Sequence, residues 1–482
     1  MNTDFHARSL SLLSEQLDTK GINAAELVSR ISAFQIAVPS WALGAGGTRF
    51  GRFSIGGEPR NLEEKLEDIG LLAKLTKRTD AVSLHIPWDI PQDVNAIKQK
   101  AASLGIGFDA MNSNTFQDYG QPLSYKMGSL SNADAAVRSQ AVEHNLQVIE
   151  IGKSLGSKGL TVWLADGSNF PGQAHIRKAL QWTTDSLKDI YAGMPADWKL
   201  LLEYKPYEPN FYHTVIPDWG TSALICRQLG DRAKVLVDLG HHLPNTNIEQ
   251  IVATLMHQNL LAGFHFNDSK YGDDDLSTGS IKPYQLFLIF CELTGGSSDG
   301  AQAWDSISWM IDASHNTKDP LEDLIQALEA ISQAYAKALL VDREKLNLCQ
   351  ISGDVVGAQE LLQEAFLTDV RPLVREARIK SGGEGDPLAY YRSEKIREKL
   401  IAKRGKNAQA GGGWQPWCGW PGGCAALLRC VRRRSWHWTR KTSATCGLRC
   451  ARGCSTATTA RPCGWKCRPA AHSSCMTFCS RS

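Results

Sequence analysis

The sequence predicts an α/β fold, a (β/α)8 TIM barrel with extra helices at its N- and C-terminal ends. Short apolar runs alternate with longer amphipathic stretches, which is the pattern of a parallel sheet built from βα units. Eight such units occupy roughly 300 of the 482 residues, a length that suits a closed barrel. An open doubly wound sheet is the alternative architecture.

The predicted strands are rich in Val, Ile, Leu and Phe and are bounded by Gly, Asp or Asn, as strands buried on both faces are. They are 34–43, 81–88, 105–110, 159–164, 199–204, 234–239, 260–266 and 309–313. Apolar residues recur with helical spacing between them. The predicted helices include 61–76, 132–155, 175–190, 248–257 and 319–346.

Four regions are predicted along the chain. Residues 1–33 form an N-terminal helical extension, 34–350 the catalytic barrel, and 351–407 a C-terminal helical extension. Residues 408–482 are an anomalous basic tail that holds ten of the thirteen cysteines. The tail fits three interpretations: an out-of-frame C-terminus, a disordered basic segment, or a metal or disulfide module. It is set aside in the functional argument.

Charge is distributed unevenly. The net charge is +3, yet twelve Lys or Arg and no Asp or Glu follow Gly411, so residues 1–410 carry about −9. An acidic body gives no electrostatic reason to bind nucleic acid or a membrane. The three body cysteines suit a reducing compartment, the first ten residues lack a signal pattern, and no apolar run is long enough to span a bilayer. We expect a cytoplasmic protein.

Polar residues follow the predicted strands where a barrel places its catalytic groups, at the carboxyl ends. Strand two ends with His85 and strand four with Trp163. Glu203 and Lys205 end strand five, and Lys205 points the same way along the strand as Glu203. Asp238, His241 and His242 follow strand six. The last two strands supply His265, Asn267, Asp268, Asp273, Asp274, Asp275 and Asp312.

Four neighbouring strands thus direct carboxylates or imidazoles to one mouth. Burying several carboxylates without a cation is costly, and a divalent metal removes that cost. Mixed carboxylate and imidazole ligands suit Mn²⁺, Co²⁺ or Zn²⁺ better than Ca²⁺. Glu203, Asp238, His265 and Asp312 form the core of the predicted metal site. The surplus of ligands predicts two ions.

Each of these residues also has a structural interpretation. A single Asp or Glu at a strand end is often a helix N-cap or a loop ion pair. The acidic run 273–275 could be solvated, His85 could be a capping or core histidine, and Trp163 could be barrel packing. The metal-site prediction therefore depends on the four residues together.

At these positions the sequence resembles the broad-specificity bacterial L-rhamnose isomerases, relatives of xylose isomerase. The resemblance covers roughly residues 20–400. Its motifs are WALGAGGTRFGRF (41–53), SLHIPWD (83–89), VWLADGSNFPGQ (162–173), LLEYKPYEPNFYHTV (201–215), VDLGHHLPNTNIEQIV (237–252), GFHFNDSKYGDDDLSTGSIKPYQLF (263–287) and MIDASHN (310–316). The tail departs from the family.

The resemblance implies two Mn²⁺ ions. Glu203, Asp238, His265 and Asp312 would hold one. A second, catalytic ion would be held by His241, Asp273 and Asp275. The sugar pocket would be lined by His85, Trp163 and Lys205, with Trp41 and Phe50 as apolar contacts. Asp312, His241 and Lys205 are the predicted catalytic residues, and a homotetramer with a broad aldose range is implied.

The predicted reaction interconverts L-rhamnose and L-rhamnulose by moving a hydrogen between C1 and C2. A metal-assisted hydride shift is favoured over an enediol route, because the carboxylates are committed to metal and none is an isolated base. A ketose 3-epimerase of the same fold is the nearest alternative. A metal-dependent phosphodiesterase or endonuclease would need a basic groove. A non-catalytic nucleic-acid-binding protein acting through the tail is the alternative of another class.

Overall fold

The computed structural model describes residues 3–43, 54–206, 212–295, 304–313 and 317–406. Phe50 and the predicted tail, residues 408–482, lie outside the described residues. Among the residues described, no helix combines the length and apolar character that crossing a membrane requires.

The centre of the fold is a ring of short parallel strands. The strands are β1 (Val38–Pro39), β2 (Ala81–Ser83), β3 (His85–Ile86), β4 (Gly107–Phe108), β5 (Met111–Ser113), β6 (Gly159–Val162), β7 (Gly167–Ser168), β8 (Lys199–Glu203), β9 (His213–Thr214), β10 (Ala233–Asp238), β11 (Leu261–Phe266) and β12 (Ser308–Ile311). β7 and β9 form a separate antiparallel sheet, and all other pairings between these named strands are parallel.

The pairing order confirms the predicted TIM barrel. One sheet runs β12-β11-β10-β8-β6-β5-β3, and a second runs β1-β2-β4. β2 with β3, and β4 with β5, make single barrel strands with short interruptions. The ring closes at Ala37, whose N–H donates to the Trp309 carbonyl at 2.8 Å and whose carbonyl accepts from the Ile311 N–H at 3.0 Å.

Helices separate successive barrel strands and form the outer layer. The helices are α1 (Thr3–Asp18), α2 (Ala24–Ala33), α3 (Leu62–Thr76), α4 (Val94–Ser103), α5 (Ala135–Leu155), α6 (Ile176–Gly193), α7 (Trp219–Leu229), α8 (Ile248–His257), α9 (Pro283–Gly295), α10 (Pro320–Ala338), α11 (Arg343–Ser352), α12 (Val355–Leu367), α13 (Arg371–Lys380), α14 (Pro387–Ser393) and α15 (Ile396–Arg404). Their apolar faces pack against the sheet in one large core.

Local sequence signals set the helix ends. Asn61 caps α3 by accepting a hydrogen bond from the Glu64 N–H at 2.9 Å. α5 ends at Gly156, which adopts a left-handed φ of 96° that glycine enters without steric cost.

Several predicted boundaries differ from the structure. The predicted first strand, 34–43, is only β1, followed by a 3-10 helix over Ser40–Ala42. The predicted helix 319–346 is two helices, because Asp342 accepts from the Lys345 N–H at 3.0 Å and starts α11 anew. The predicted third strand, 105–110, continues to Ser113, since Asn112 and Ser113 pair with β3 and β6 despite their polar side chains.

The terminal helices pack against each other outside the barrel. α1 and α2 both contact α13, and the His6 imidazole lies 3.0 Å from the Glu376 carboxylate. The chain therefore has extra helices both before and after the barrel in sequence. The proposed division at residue 350 falls inside α11.

Candidate active site at the barrel mouth

The carboxyl ends of four adjacent strands bring four predicted ligands together. Glu203 ends β8, Asp238 ends β10, His265 lies at the end of β11, and Asp312 follows β12 directly. One donor atom from each lies within 4.8 Å of the others. We refer to these four residues as the first cluster.

A β-bulge in β11 helps to direct His265 inward. Val235 pairs with Leu261 and Leu236 pairs with Gly263, so Ala262 is an extra residue in the strand. Ala262 packs with Leu201 and Leu236 in an apolar layer inside the barrel. Without the bulge, Ala262 and His265 would point to opposite faces of the strand.

His265 lies at the centre of the first cluster. Its Nδ1 is 3.4 Å from Glu203 Oε1 and 3.6 Å from carboxylate oxygens of both Asp238 and Asp312. Burial alone would lower the pKa of His265, but the carboxylates of Glu203, Asp238 and Asp312 raise it well above its usual value. Burial opposes ionisation of Glu203 and Asp238 as well, yet His265 and His241 hold both pKa values below normal.

Asp312 has a different balance. Burial, together with the charges of Asp275, Asp238 and Glu203, raises its pKa to about 7, although His265 opposes the shift. The indole Nε1 of Trp41 donates to Asp312 Oδ1 at 2.9 Å. Asp312 Oδ2 is the oxygen near His265.

The first cluster has the donor chemistry of a divalent-metal site. Asp238 Oδ2 and His265 Nδ1 are buried and make no hydrogen bond to any described residue. The other oxygen of Asp238 accepts from the Gly240 N–H at 2.7 Å and from Asn267 Nδ2 at 2.9 Å, which fixes the carboxylate. Three carboxylates and one imidazole, two of them with buried donor atoms that lack a hydrogen bond within the described part of the chain, fit a divalent ion.

A second cluster adjoins the first and shares Asp238 with it. Donor atoms of Asp238, His241 and Asp273 lie within 4.8 Å of one another. His241 Nε2 is 3.5 Å from Asp273 Oδ1, and His241 Nδ1 is 3.1 Å from Glu203 Oε1. Burial would lower the pKa of His241, but Asp238 and Glu203 raise it. The Lys205 ammonium contacts the Asp273 carboxylate.

Asp275 does not belong to either cluster in the structure. The family resemblance implies a second ion held by His241, Asp273 and Asp275, whereas the donor atoms that lie within 4.8 Å of one another belong to Asp238, His241 and Asp273. Asp275 is buried and has a left-handed φ of 46°. It lines a cavity that opens beside both clusters.

A cavity of about 250 Å³ opens beside both clusters. Its lining includes every described residue predicted for the site except Asp238, which is fully buried. Lys205 Nζ lies 4.9 Å from the Trp163 ring, and Trp41 contacts His85 edge-on at 5.3 Å. Burial lowers the pKa of His85 to about 3, so its imidazole is neutral near pH 7.

Several lining residues were missed in the sequence. Trp88 stacks on His85 at 4.1 Å, and Phe116 packs on Trp163 at 4.6 Å. The others are Asn112, Ser113, Gln117, Thr161 and Ala165. Ending strand three at residue 110 hid the polar run after Met111. That run was the available signal, because it follows an apolar stretch just as the predicted ligands do.

A larger cavity, of about 850 Å³, lies between α1, α10, α13 and nearby segments. Among the described residues, both potential metal-binding clusters lie at the barrel mouth and neither lies there. Chemistry rather than size therefore places the candidate site at the mouth.

Known proteins match this architecture. The sequence model of a family described as xylose isomerase-like TIM barrel matches residues 75–292. A protein of Mesorhizobium japonicum named probable sugar isomerase is 54% identical over 398 residues, covering 82% of this chain and 92% of its own length. A Rhizobium meliloti protein with the same name is 51% identical over 411 residues, covering 85% and 95%.

More distant matches were also found. Xylose isomerase of Thermus thermophilus is 24% identical over 285 residues, covering 53% of this chain and 71% of its own length. A solved structure of L-ribulose 3-epimerase aligns with a TM-score of 0.47 and 16% identity, covering 65% and 97%.

Proposed function

Because this chain belongs to the family of the two rhizobial probable sugar isomerases, within the xylose isomerase-like TIM barrel superfamily, we propose that it interconverts L-rhamnose and L-rhamnulose with the help of divalent metal. The supporting observation is the first cluster, in which four metal-type donor atoms lie within 4.8 Å at one end of a small cavity. L-Rhamnose is proposed because the motifs at the strand ends resemble those of the L-rhamnose isomerases.

The proposed cofactor is Mn²⁺, with two ions per subunit and Co²⁺ or Zn²⁺ as substitutes. Glu203, Asp238, His265 and Asp312 would hold one ion. His241 and Asp273 would hold the second, with Asp238 shared and Asp275 close by. A bound divalent ion supplies Lewis-acid stabilisation of the negative charge that develops on two adjacent sugar oxygens.

The protein's own groups would bind and orient the open-chain sugar. The apolar face and the C6 methyl would pack on Trp41 and Trp163, and Phe116 packs against Trp163. Lys205 would donate a hydrogen bond to a substrate oxygen and offset its charge. Neutral His85 would offer a ring nitrogen to a hydroxyl. The Trp41 indole keeps Asp312 Oδ1 occupied and leaves Oδ2 as the oxygen that faces the first cluster.

We propose a direct hydride shift between C2 and C1. Among the described residues, every acidic side chain lining the cavity belongs to a cluster except Asp275, and Asp275 raises the pKa of the neighbouring Asp312. A hydride shift keeps the migrating hydrogen on the sugar. An enediol route would exchange it with solvent through a base.

A ketose 3-epimerase is the second candidate, because the first cluster alone provides a complete ligand set for one ion. In that reaction the hydrogen at C3 would be removed and replaced. The carboxylates of Glu203 and Asp312 would then act as acid and base.

We further propose a homotetramer. Five apolar side chains on α11 and α12 are between 64% and 76% exposed: Leu348, Ile351, Val355, Val356 and Leu367. Large apolar side chains exposed in such numbers on two neighbouring helices favour an interface between subunits. Sedimentation velocity of the full chain would measure the assembly, and a monomer would contradict this proposal.

The experiment is a sugar panel assayed after EDTA treatment and again after Mn²⁺ is restored. We expect L-rhamnose, L-mannose, L-lyxose and D-allose to yield ketoses only in the restored sample. In deuterium oxide, the product should contain no carbon-bound deuterium. Deuterium at C1 would overturn the hydride shift. Epimerisation of a ketose at C3 without aldose turnover would overturn the isomerase proposal.

A further inference from the structure

A buried ion pair lies behind the cavity and outside both metal clusters. Lys65 on α3 contacts Asp89 with Nζ 2.6 Å from Oδ1, and their side chains are only 4% and 1% exposed. Burying an ion pair gains little stability over apolar residues of the same size. The pair therefore calls for an explanation in the contacts that Asp89 makes.

Asp89 connects two strand ends. Its Oδ2 accepts from the His85 backbone N–H at 2.9 Å and also from the Ser40 hydroxyl. The Asp89 N–H in turn donates to the His85 carbonyl at 2.9 Å. One carboxylate thus holds the segment after β1 against the turn after β3.

Both connected segments carry residues that line the cavity. Ser40 immediately precedes Trp41, whose indole donates to Asp312 at 2.9 Å. His85 contacts the Trp41 ring at 5.3 Å and stacks on Trp88 at 4.1 Å. A shift of Asp89 would therefore move Trp41 and His85, which line the cavity, and with Trp41 the hydrogen bond to Asp312.

We propose that Lys65 and Asp89 are positioning residues, which set the spacing of Trp41 and His85 around the sugar. This inference rests on the proposed function for its substrate. Lys65 holds the carboxylate through Oδ1, which leaves Oδ2 to accept from both strand ends. An apolar pair could fill the same volume but could not make those two hydrogen bonds.

The chain offers a matched control on the same helix. Asp68, three residues after Lys65, forms a buried pair with Arg404, whose Nη2 lies 2.8 Å from Asp68 Oδ1. Arg404 also donates to the carbonyls of Gly57 and Glu64. None of these residues lines the cavity. Asp68→Asn should cost stability as Asp89→Asn does, without moving the cavity walls.

The test compares Asp89→Asn, Asp68→Asn and the double variant Lys65→Met/Asp89→Leu, each saturated with Mn²⁺. We expect Asp89→Asn to lower kcat/KM for L-rhamnose about 10-fold to 100-fold, the range expected from displaced positioning groups. Asp68→Asn should stay within about twofold of the parent, since its surroundings do not touch the substrate.

The double variant separates positioning from stability. Removing Lys65 as well eliminates the unpaired buried charge, so the thermal midpoint should recover towards that of the parent. Turnover should not recover, because leucine offers no acceptor to the Ser40 hydroxyl and the His85 N–H. Recovery of both properties, or equal kinetic losses in Asp89→Asn and Asp68→Asn, would overturn the proposal.

Crystal structures of the two single variants provide a readout that needs no turnover. His85 and Trp41 should be displaced relative to Asp312 in Asp89→Asn and should keep their places in Asp68→Asn. If the parent isomerises no sugar, the proposed function fails and this comparison still decides the inference. Unmoved rings in Asp89→Asn would overturn it.

Discussion

Strand β12 has a mostly but not fully buried carboxyl group beside each of its ends, and the two groups have opposite surroundings. At its start, the Ser308 hydroxyl lies 2.6 and 2.7 Å from the two carboxylate oxygens of Asp109. Ser83 adds a contact of 3.3 Å. At its end, Asp312 faces His265 and two further carboxylates.

The difference shows that burial of a carboxyl group does not by itself make a metal site. Burial raises the pKa of both carboxyl groups. Hydrogen bonds from Ser308 oppose this rise at Asp109, and the charge of His265 opposes it at Asp312. Hydroxyls satisfy Asp109 within the protein. At the mouth, several carboxylates instead share a few protons, and a bound divalent cation would stabilise their negative charge.

The largest expected effect is on turnover when Asp312 loses its charge. Asp312→Asn should lower kcat by about 10²–10³-fold, the loss typical of removing one electrostatic group from a preorganised site. Steady-state kinetics with excess Mn²⁺ measure it, and circular dichroism checks the fold. Parental kcat in a folded variant would remove Asp312 from the mechanism.

His241→Ala should weaken the second ion more than it weakens the fold. We expect the Mn²⁺ concentration for half-maximal activity to rise about 10-fold to 100-fold, as for disruption of a metal's immediate surroundings. Titration of the EDTA-treated protein with Mn²⁺ tests this. An unchanged titration curve would mean that the second cluster holds no activating ion.

Metal affinity should depend on pH at the mouth. Without metal, Asp312 has a pKa of about 7 and His265 holds its proton, so an entering cation must displace protons. Affinity for Mn²⁺ should therefore rise with pH. Each proton released per bound ion raises the affinity about 10-fold per pH unit, so we expect a rise of at least about 10-fold from pH 6 to pH 8. Isothermal titration calorimetry in buffers of different ionisation enthalpy would count the protons. Affinity that falls with pH would contradict the assignment.

The smallest kinetic effect is expected at the other end of the strand. Asp109→Asn should cost about 1–3 kcal/mol of unfolding free energy, because Ser308 and Ser83 would lose part of their hydrogen bonding. Its kcat and its Mn²⁺ titration should match those of the parent. Urea denaturation measures the stability. A loss of metal affinity would show that the two ends of β12 are not independent.

Much of the fold and the first cluster could be predicted from sequence, for a physical reason. In a parallel barrel the carboxyl ends of neighbouring strands lie at the same mouth. Polar residues that directly follow the apolar runs are therefore predicted to lie close together there. Glu203, Asp238, His265 and Asp312 satisfy that rule. The rule does not predict that Asp275 lies outside both clusters or that Asp238 belongs to both, because these features depend on the geometry of the loops.

Other features depend on contacts that no periodicity encodes. The third strand continues through Asn112 and Ser113, whose polarity hides their backbone pairing. The bulge at Ala262 leaves no distinctive pattern in an apolar strand. The hydrogen bond from Trp41 to Asp312 joins residues 271 positions apart. Only the closed ring brings them together.

That closed ring has a consequence for how the protein forms. The seam joins Ala37 to Trp309 and Ile311, so it cannot form until almost the whole barrel sequence has left the ribosome. Such distant contacts slow folding, and the exposed edges of an unfinished sheet invite aggregation. Asp312 lies directly after the seam. A nascent chain therefore completes the first cluster in the same step that removes its open edges.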